Sequence, residues 1–193
     1  FDVTECLNYE PEKENVITVR VDATQSELWS YEGAGIYRNV WLIQTSSIYI
    51  PQWGTFVSSD VDLTKRQATI EALIEVVNES DKTVNVVLKN SITDIEGKHV
   101  AYTETRLSIH SLERNEIKAH MQVNNAHLWS PENPHLYTLH TEIEMNNTVI
   151  DSYVTRFGIR TIAFNPDQGF LLNGKRVQLQ GCLLYTSDAA DDK

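Results

Sequence analysis

The chain has 193 residues, of which 41% are hydrophobic and 22% charged; its 16 Lys and Arg stand against 27 Asp and Glu, for a net charge of −11. That length leaves no room for a complete large enzyme barrel, the composition is globular rather than disordered, and the acidic balance excludes the clustered cations that a sequence-independent grip on nucleic-acid phosphates needs. No run of eighteen apolar residues is present to span a membrane as a helix, and two cysteines, Cys6 and Cys182, exclude both a disulfide framework and a Cys-rich zinc site.

The chain opens Phe1-Asp2-Val3-Thr4, with no Met and no charged n-region before an apolar stretch. The natural start is expected to lie upstream, so the compartment (periplasm, exterior or cytoplasm) stays open. Residues 1–50 carry strands expected near Asn15–Asp22 and over Gly35–Thr45, the second rich in branched and aromatic side chains. Two or three strands bury too little apolar area to stand alone, and a boundary is expected at Ile50-Pro51.

Residues 51–158 are dominated by a period of two. In Ile70-Glu71-Ala72-Leu73-Ile74-Glu75-Val76 the even positions are all apolar, the mark of a strand with one buried face. Val84, Val86 and Leu88 continue the alternation against Asn85 and Lys89, and Tyr137, Leu139 and Ile143 repeat it against His140, Glu142 and Glu144. These apolar positions form the expected core, and Glu71, Glu75, Glu142 and Glu144 the expected solvated face. Polar clusters at Asn78–Lys82, Glu96–Lys98 and Asn146–Thr148 read as turns. About seven such strands in roughly 100 residues predict an Ig-like antiparallel β-sandwich, with almost no long helix.

Residues 159–181 begin a new element. Gly169–Leu179 reads as a β-hairpin in which Asn173-Gly174 supplies the two positive-φ residues of a type I′ turn. Leu179-Gln180-Gly181 reads as strand, and residues 182–193 have no strand period. Their back-translation matches a transposase adaptor used in shotgun DNA libraries, so this tail is expected to be non-native. A longer clone still reading Cys-Leu-Leu-Tyr after Gly181 would refute that. The six histidines (His99, His110, His120, His127, His135, His140) show no metal-ligand clustering. Asn78-Glu79-Ser80 and Asn146-Asn147-Thr148 match the glycosylation pattern.

Three stretches, in order, resemble glycoside hydrolase family 2, the family of β-galactosidases, β-glucuronidases and β-mannosidases. Trp29-Ser30-Tyr31-Glu32-Gly33-Ala34-Gly35-Ile36-Tyr37-Arg38-Asn39-Val40-Trp41-Leu42 is similar to the signature near the end of its sugar-binding domain. Leu128-Trp129-Ser130-Pro131-Glu132-Asn133-Pro134-His135-Leu136-Tyr137 is similar to the approach to a late strand of its Ig-like domain. Phe157-Gly158-Ile159-Arg160 and Gly169–Lys175 are similar to the passage into its catalytic barrel. The resemblance implies an all-β chain: residues 1–50 ending a jelly-roll sugar-binding domain, 51–158 a sandwich, 159–181 the lead-in to a truncated TIM barrel, most like a β-galactosidase. In the first motif Gly33 and Gly35 allow tight turns, and Arg38 offers a planar fork suited to an inter-domain contact. Trp129 and Tyr137 are expected in the core.

The resemblance also implies a carbohydrate substrate for the parent enzyme and two catalytic glutamates, about 5–5.5 Å apart in a retaining enzyme, from barrel strands beyond Gly181. No Glu in this chain stands in the matching context, so the chain by itself is expected to be inactive and to need no cofactor; a Mg²⁺ or Na⁺ ion is implied for the parent. In the family's β-galactosidases an acidic residue two positions before the signature Trp reaches the sugar and a nearby cation. Glu27 holds that position before Trp29, with Asp22 and Tyr31 as weaker neighbours. The family residue is Asp, which makes Glu27 a departure. A non-catalytic carbohydrate-binding or adhesion sandwich is the alternative; the hairpin from Gly169 speaks against it.

Overall fold

The computed structural model describes residues 1–22 and 35–179. The chain divides into two compact units, Phe1–Ile43 and Gln44–Lys193. In the first, one 3-10 turn, Thr4–Cys6, is the only regular element among the described residues. The Asp2 carboxylate accepts from the Thr4 amide (2.9 Å) and hydroxyl (2.7 Å), and Asn8 and Asn15 exchange two hydrogen bonds. The strands expected near Asn15–Asp22 and over Gly35–Thr45 are not formed in the described residues. Branched residues favour strands because they suit a pleated, half-buried surface, and Val16, Ile17, Ile36, Val40 and Leu42 have no such surface: all are exposed.

The second unit is built from eleven strands: β1 Ile48–Tyr49, β2 Thr55–Asp62, β3 Gln67–Asn78, β4 Val84–Thr93, β5 His99–Ile109, β6 Glu113–Asn124, β7 Tyr137–Met145, β8 Thr148–Phe157, β9 Ile162–Asn165, β10 Gly169–Leu172 and β11 Lys175–Arg176. All pairings are antiparallel. β3 is the middle of one sheet, with β6 along one side and β2 and β1 in succession along the other. The second sheet has the order β5-β4-β7-β8, and β9, β10 and β11 make a small third one. The chain changes sheet between β3 and β4, β5 and β6, and β6 and β7, so the two large sheets face each other as a sandwich. No described helix is long and apolar enough to cross a membrane.

The period-two reading holds in detail. Ile70, Ile74, Val76, Leu88 and Leu139 have no exposed surface, Val86 and Tyr137 almost none, and Val84 is half-buried. Register inside the core is marked by one polar pair: Asn90 and Thr141, directly opposite on β4 and β7, are both buried, and the Thr141 hydroxyl donates to Asn90 Oδ1 (2.9 Å). A one-residue slip would break that bond and turn the apolar face outward. β1 lies ahead of the expected boundary at Ile50, because Ile48 and Tyr49 pair with Asn78 and Val77. A two-residue strand has no period to read, and Pro51 looks like a linker.

The turns follow their residues. Asn146-Asn147 (φ 52° and 61°) and Asn173-Gly174 (φ 52° and 74°) both form two-residue, positive-φ hairpin loops. Asn78 is wholly buried; its amide nitrogen donates to the Lys82 and His110 carbonyls (2.8 and 3.0 Å), and its oxygen accepts from the Ser80 amide and hydroxyl. That side chain is fully engaged and closed to glycosylation. Leu179 is irregular, and the rest of the strand expected at Leu179–Gly181, together with residues 182–193, lies outside the described residues.

Candidate functional site

Of the sequence-derived candidates in the first unit, Glu27, Trp29 and Gly33 lie outside the described residues, as does Tyr31. Gly35 has φ +142° with open space around it. Arg38 is exposed, and its guanidinium lies over the ring of its neighbour Tyr37, 5.5 Å from the centroid.

The second and third motifs meet at one end of the sandwich. Trp129, in the link between β6 and β7, donates its amide to the Ile159 carbonyl (2.8 Å) just after β8. Its indole has two close neighbours. One is Gly158, where a Cβ would come within 2.8 Å of Trp129 Cβ and Cγ. The Arg160 guanidinium covers the ring at 4.9 Å, a cation–π contact. Arg160 is in turn fixed through its backbone: its carbonyl accepts from the Ser59 hydroxyl on β2 (3.2 Å). Trp129 is thus half-buried at a joint rather than sealed in the core, unlike Tyr137.

Asn173 completes the joint. Its backbone amide donates to the Thr161 carbonyl (3.0 Å), its side-chain oxygen accepts from the Thr161 amide (3.0 Å), and its side-chain nitrogen donates to the Trp129 carbonyl (2.9 Å). The residue read as a turn former therefore also ties the β10–β11 hairpin to the sandwich. Gly174 lies against Leu63, whose Cδ1 would sit 3.1 Å from an added Cβ. Sequence spacing alone gives no sign that Trp129, Gly158, Arg160 and Asn173 adjoin; only the pairing of β7 with β8 brings 129 to 158.

Beneath the joint His127 and His135 stack with ring centroids 5.0 Å apart, and Tyr137 meets His135 edge-on at 4.9 Å. The Tyr137 hydroxyl accepts from the His127 amide (2.9 Å); burial pushes its phenol above the ordinary range, against that hydrogen bond, with Asp94 adding to the rise. A cleft of about 470 Å³ opens alongside, with Arg66, His127, Asn133 and Lys175 among its walls and no carboxylate. It lacks the acid and base that glycoside hydrolysis requires.

Three of the four strand glutamates read as a solvated face have partners across their sheets. Glu75 pairs with Arg114 (3.0 Å), Glu71 faces His120 (3.6 Å) and Glu144 binds Lys89 (2.6 Å). The Glu144 side chain is only 18% exposed, a departure from the freely solvated face expected of it, and it is tied into the ion pair with Lys89. The same carboxylate holds the Lys89 ammonium above its ordinary range. Among the described residues no group of three or more His, Cys, Asp or Glu converges to hold a metal ion.

The model of the glycosyl hydrolases family 2 matches residues 48–160, which is the sandwich with its joint. A β-galactosidase from Bacteroides ovatus is 37% identical over 187 residues, 96% of this chain and 22% of that protein. A β-glucuronidase from Formosa agariphila is 30% identical over 94% of the chain and 20% of its own length. Among solved structures, a family 2 member from Bacteroides cellulosilyticus superposes with a TM-score of 0.67 at 33% identity, over 71% of this chain and 19% of that one. A Bacteroides uniformis β-glucuronidase reaches 0.70 at 26% identity, over 83% and 21%. The chain spans about a fifth of the length of these relatives. Its sandwich, the three motifs and the relatives agree: this chain belongs to glycosyl hydrolases family 2.

Proposed function

We propose that this chain is the non-catalytic sandwich region of a retaining β-glycosidase, most like a β-galactosidase, and that its own part is to hold the segment after Arg160 in a fixed pose. The observation that carries this reading is the joint: one side chain, Asn173, ties the hairpin to Trp129 and to Thr161. An adhesion module has no need to clamp such a hairpin to its sandwich. The preference for a β-galactosidase rests on the 37% identity to the B. ovatus enzyme, against 30% for the β-glucuronidase. Catalysis in the parent would come from two carboxylates about 5–5.5 Å apart, one as acid and base and one as nucleophile. Here Glu71, Glu75 and Glu144 are instead spent on cross-strand partners. A Mg²⁺ or Na⁺ ion near Glu27 belongs to the same proposal for the parent.

The test has two arms. The 193-residue chain should leave aryl β-galactosides and β-glucuronides intact; turnover that survives purification and is lost on unfolding would refute the non-catalytic reading. The parent enzyme, expressed from its gene, should cleave aryl β-galactosides in preference to β-glucuronides. The opposite preference would overturn the substrate assignment and leave the family untouched.

A further inference from the structure

A notch interrupts the outer face of the β5-β4-β7-β8 sheet. β4 pairs with β5 from Val84 onward, but with β7 only from Val87, which faces Glu144; β7 then turns away at Asn146-Asn147. Asn85 and Val86 therefore continue one ladder with no neighbour on the other side. Because successive residues of a strand send their backbone groups to opposite sides, one of the two directs its N–H and C=O into the gap. The result is a groove of about 440 Å³.

Its lining follows from register. Asn85 stands opposite Ser108, and Val87 stands between Arg106 and Glu144. Directly opposed residues share a face, and Val86 and Leu88 point into the core, so these five side chains all face outward. The amides of Asn146 and Asn147 close the end. Glu144 is already bound to Lys89, whereas the Arg106 guanidinium makes no ion pair or hydrogen bond among the described residues, and neither do the side chains of Asn85, Ser108, Asn146 and Asn147. The groove thus offers one unneutralised guanidinium, three amides that both donate and accept, a hydroxyl, and the apolar Val87 between them.

We propose that this groove is an accessory binding site for an acidic saccharide, a uronate unit of an oligosaccharide. The Arg106 fork suits a carboxylate in two parallel hydrogen bonds. The amides suit neighbouring hydroxyls, which each donate and accept. Val87 takes the C–H face of the ring. The ligand must bring its own negative charge, because the only charge in the groove left without a partner is positive. This assignment comes from the groove's own groups, so it stands or falls separately from the catalytic reading.

The whole 193-residue chain, labelled with ¹⁵N, is titrated at about 0.15 M salt, which screens its overall negative charge, with trigalacturonate and with the neutral galactose trimer, each up to about 10 mM, enough to register weak sites. Trigalacturonate should shift the amides of Asn85–Val87, Arg106–Ser108 and Asn146–Thr148, and Arg106→Gln should weaken binding at least tenfold. Arg156→Gln, on the same sheet but outside the groove, should leave it unchanged. Arg106 is exposed, so the variant should keep its far-ultraviolet spectrum. Equal binding of the neutral trimer, unaltered affinity in Arg106→Gln, or shifts confined to other residues would each overturn the proposal, as would no shift at all.

Discussion

Gly158→Ala is the sharpest test of the joint. The added methyl would lie 2.8 Å from Trp129 Cβ and Cγ and 3.0 Å from Cδ1, well inside contact distance. The indole cannot simply slide away, because the Trp129 amide is bound to the Ile159 carbonyl and its carbonyl to Asn173. Overpacking of this kind costs about 1–3 kcal/mol, and displacing the ring from Arg160 forfeits about 0.5–1 kcal/mol more. The expected loss is about 1.5–4 kcal/mol, or about 6–16 °C in Tm at about 4 °C per kcal/mol for a domain of this size. Urea unfolding measures it. A double-mutant cycle isolates the cause: Trp129→Gly removes all three nearby atoms, whereas alanine would keep the Cβ. In that background Gly158→Ala should cost less than about 0.5 kcal/mol, since nothing is left to clash with. If the cost is the same in both backgrounds, the steric account is wrong.

Ile74→Asp places an unpaired charge in a fully buried site and should unfold the sandwich, with lost near-ultraviolet dichroism; a folded variant would mean that β3 is out of register. The Asp62 carboxylate is held below its usual range of 3.8 chiefly by the Lys65 amide, then the Lys65 ammonium, with the Thr64 amide a lesser help. A depressed folded pKa stabilises above the unfolded value and is lost as pH falls through the folded one. Between about pH 5 and pH 2, Asp62→Asn should therefore lose less stability than wild type in urea titrations; parallel curves would exclude the effect. Finally, Ile36, Val40, Trp41 and Leu42 are all exposed, so the full chain should self-associate where a chain of residues 44–179 stays monomeric. Equal light scattering from the two at matched concentration would refute this.

What was legible followed from what each signal reports. Alternation at Ile70–Val76 found a buried face because a half-buried strand has no other way to arrange its side chains. Asn173-Gly174 gave its turn because few pairs adopt two positive φ angles cheaply. Asn146-Asn147 carried the same signal in the same way. Branched residues at Gly35–Thr45 misled, since they report affinity for a pleated surface and not the presence of a neighbouring strand. The joint was hidden for a related reason. Trp129 and Gly158 are 29 residues apart, and nothing in either motif says that the missing Cβ of one makes room for the ring of the other. The groove at Asn85 arises from where β7 stops, a boundary that periodicity does not locate.

The course of the chain through the sandwich also sets a distance. Ile50 donates its amide to the Asp151 carboxylate, Trp53 donates its amide to the Tyr153 hydroxyl, and Ser59 meets the backbone of Arg160. The β1–β2 stretch and β8 thus run side by side in the same direction, one in each of the two large sheets. The chain comes in at one end and leaves at the other, about 23 Å away at about 3.3 Å per residue over the seven steps of β3 from Val77, opposite Tyr49, to Ile70, opposite Ser59. The sandwich is therefore a ruler as well as a fold. Lengthening a turn such as Asn146-Asn147 would leave its span unchanged. Inserting a residue within β2 or β8 would advance the far end by one strand step and reverse every side chain beyond it, so changes in span must come in pairs of residues.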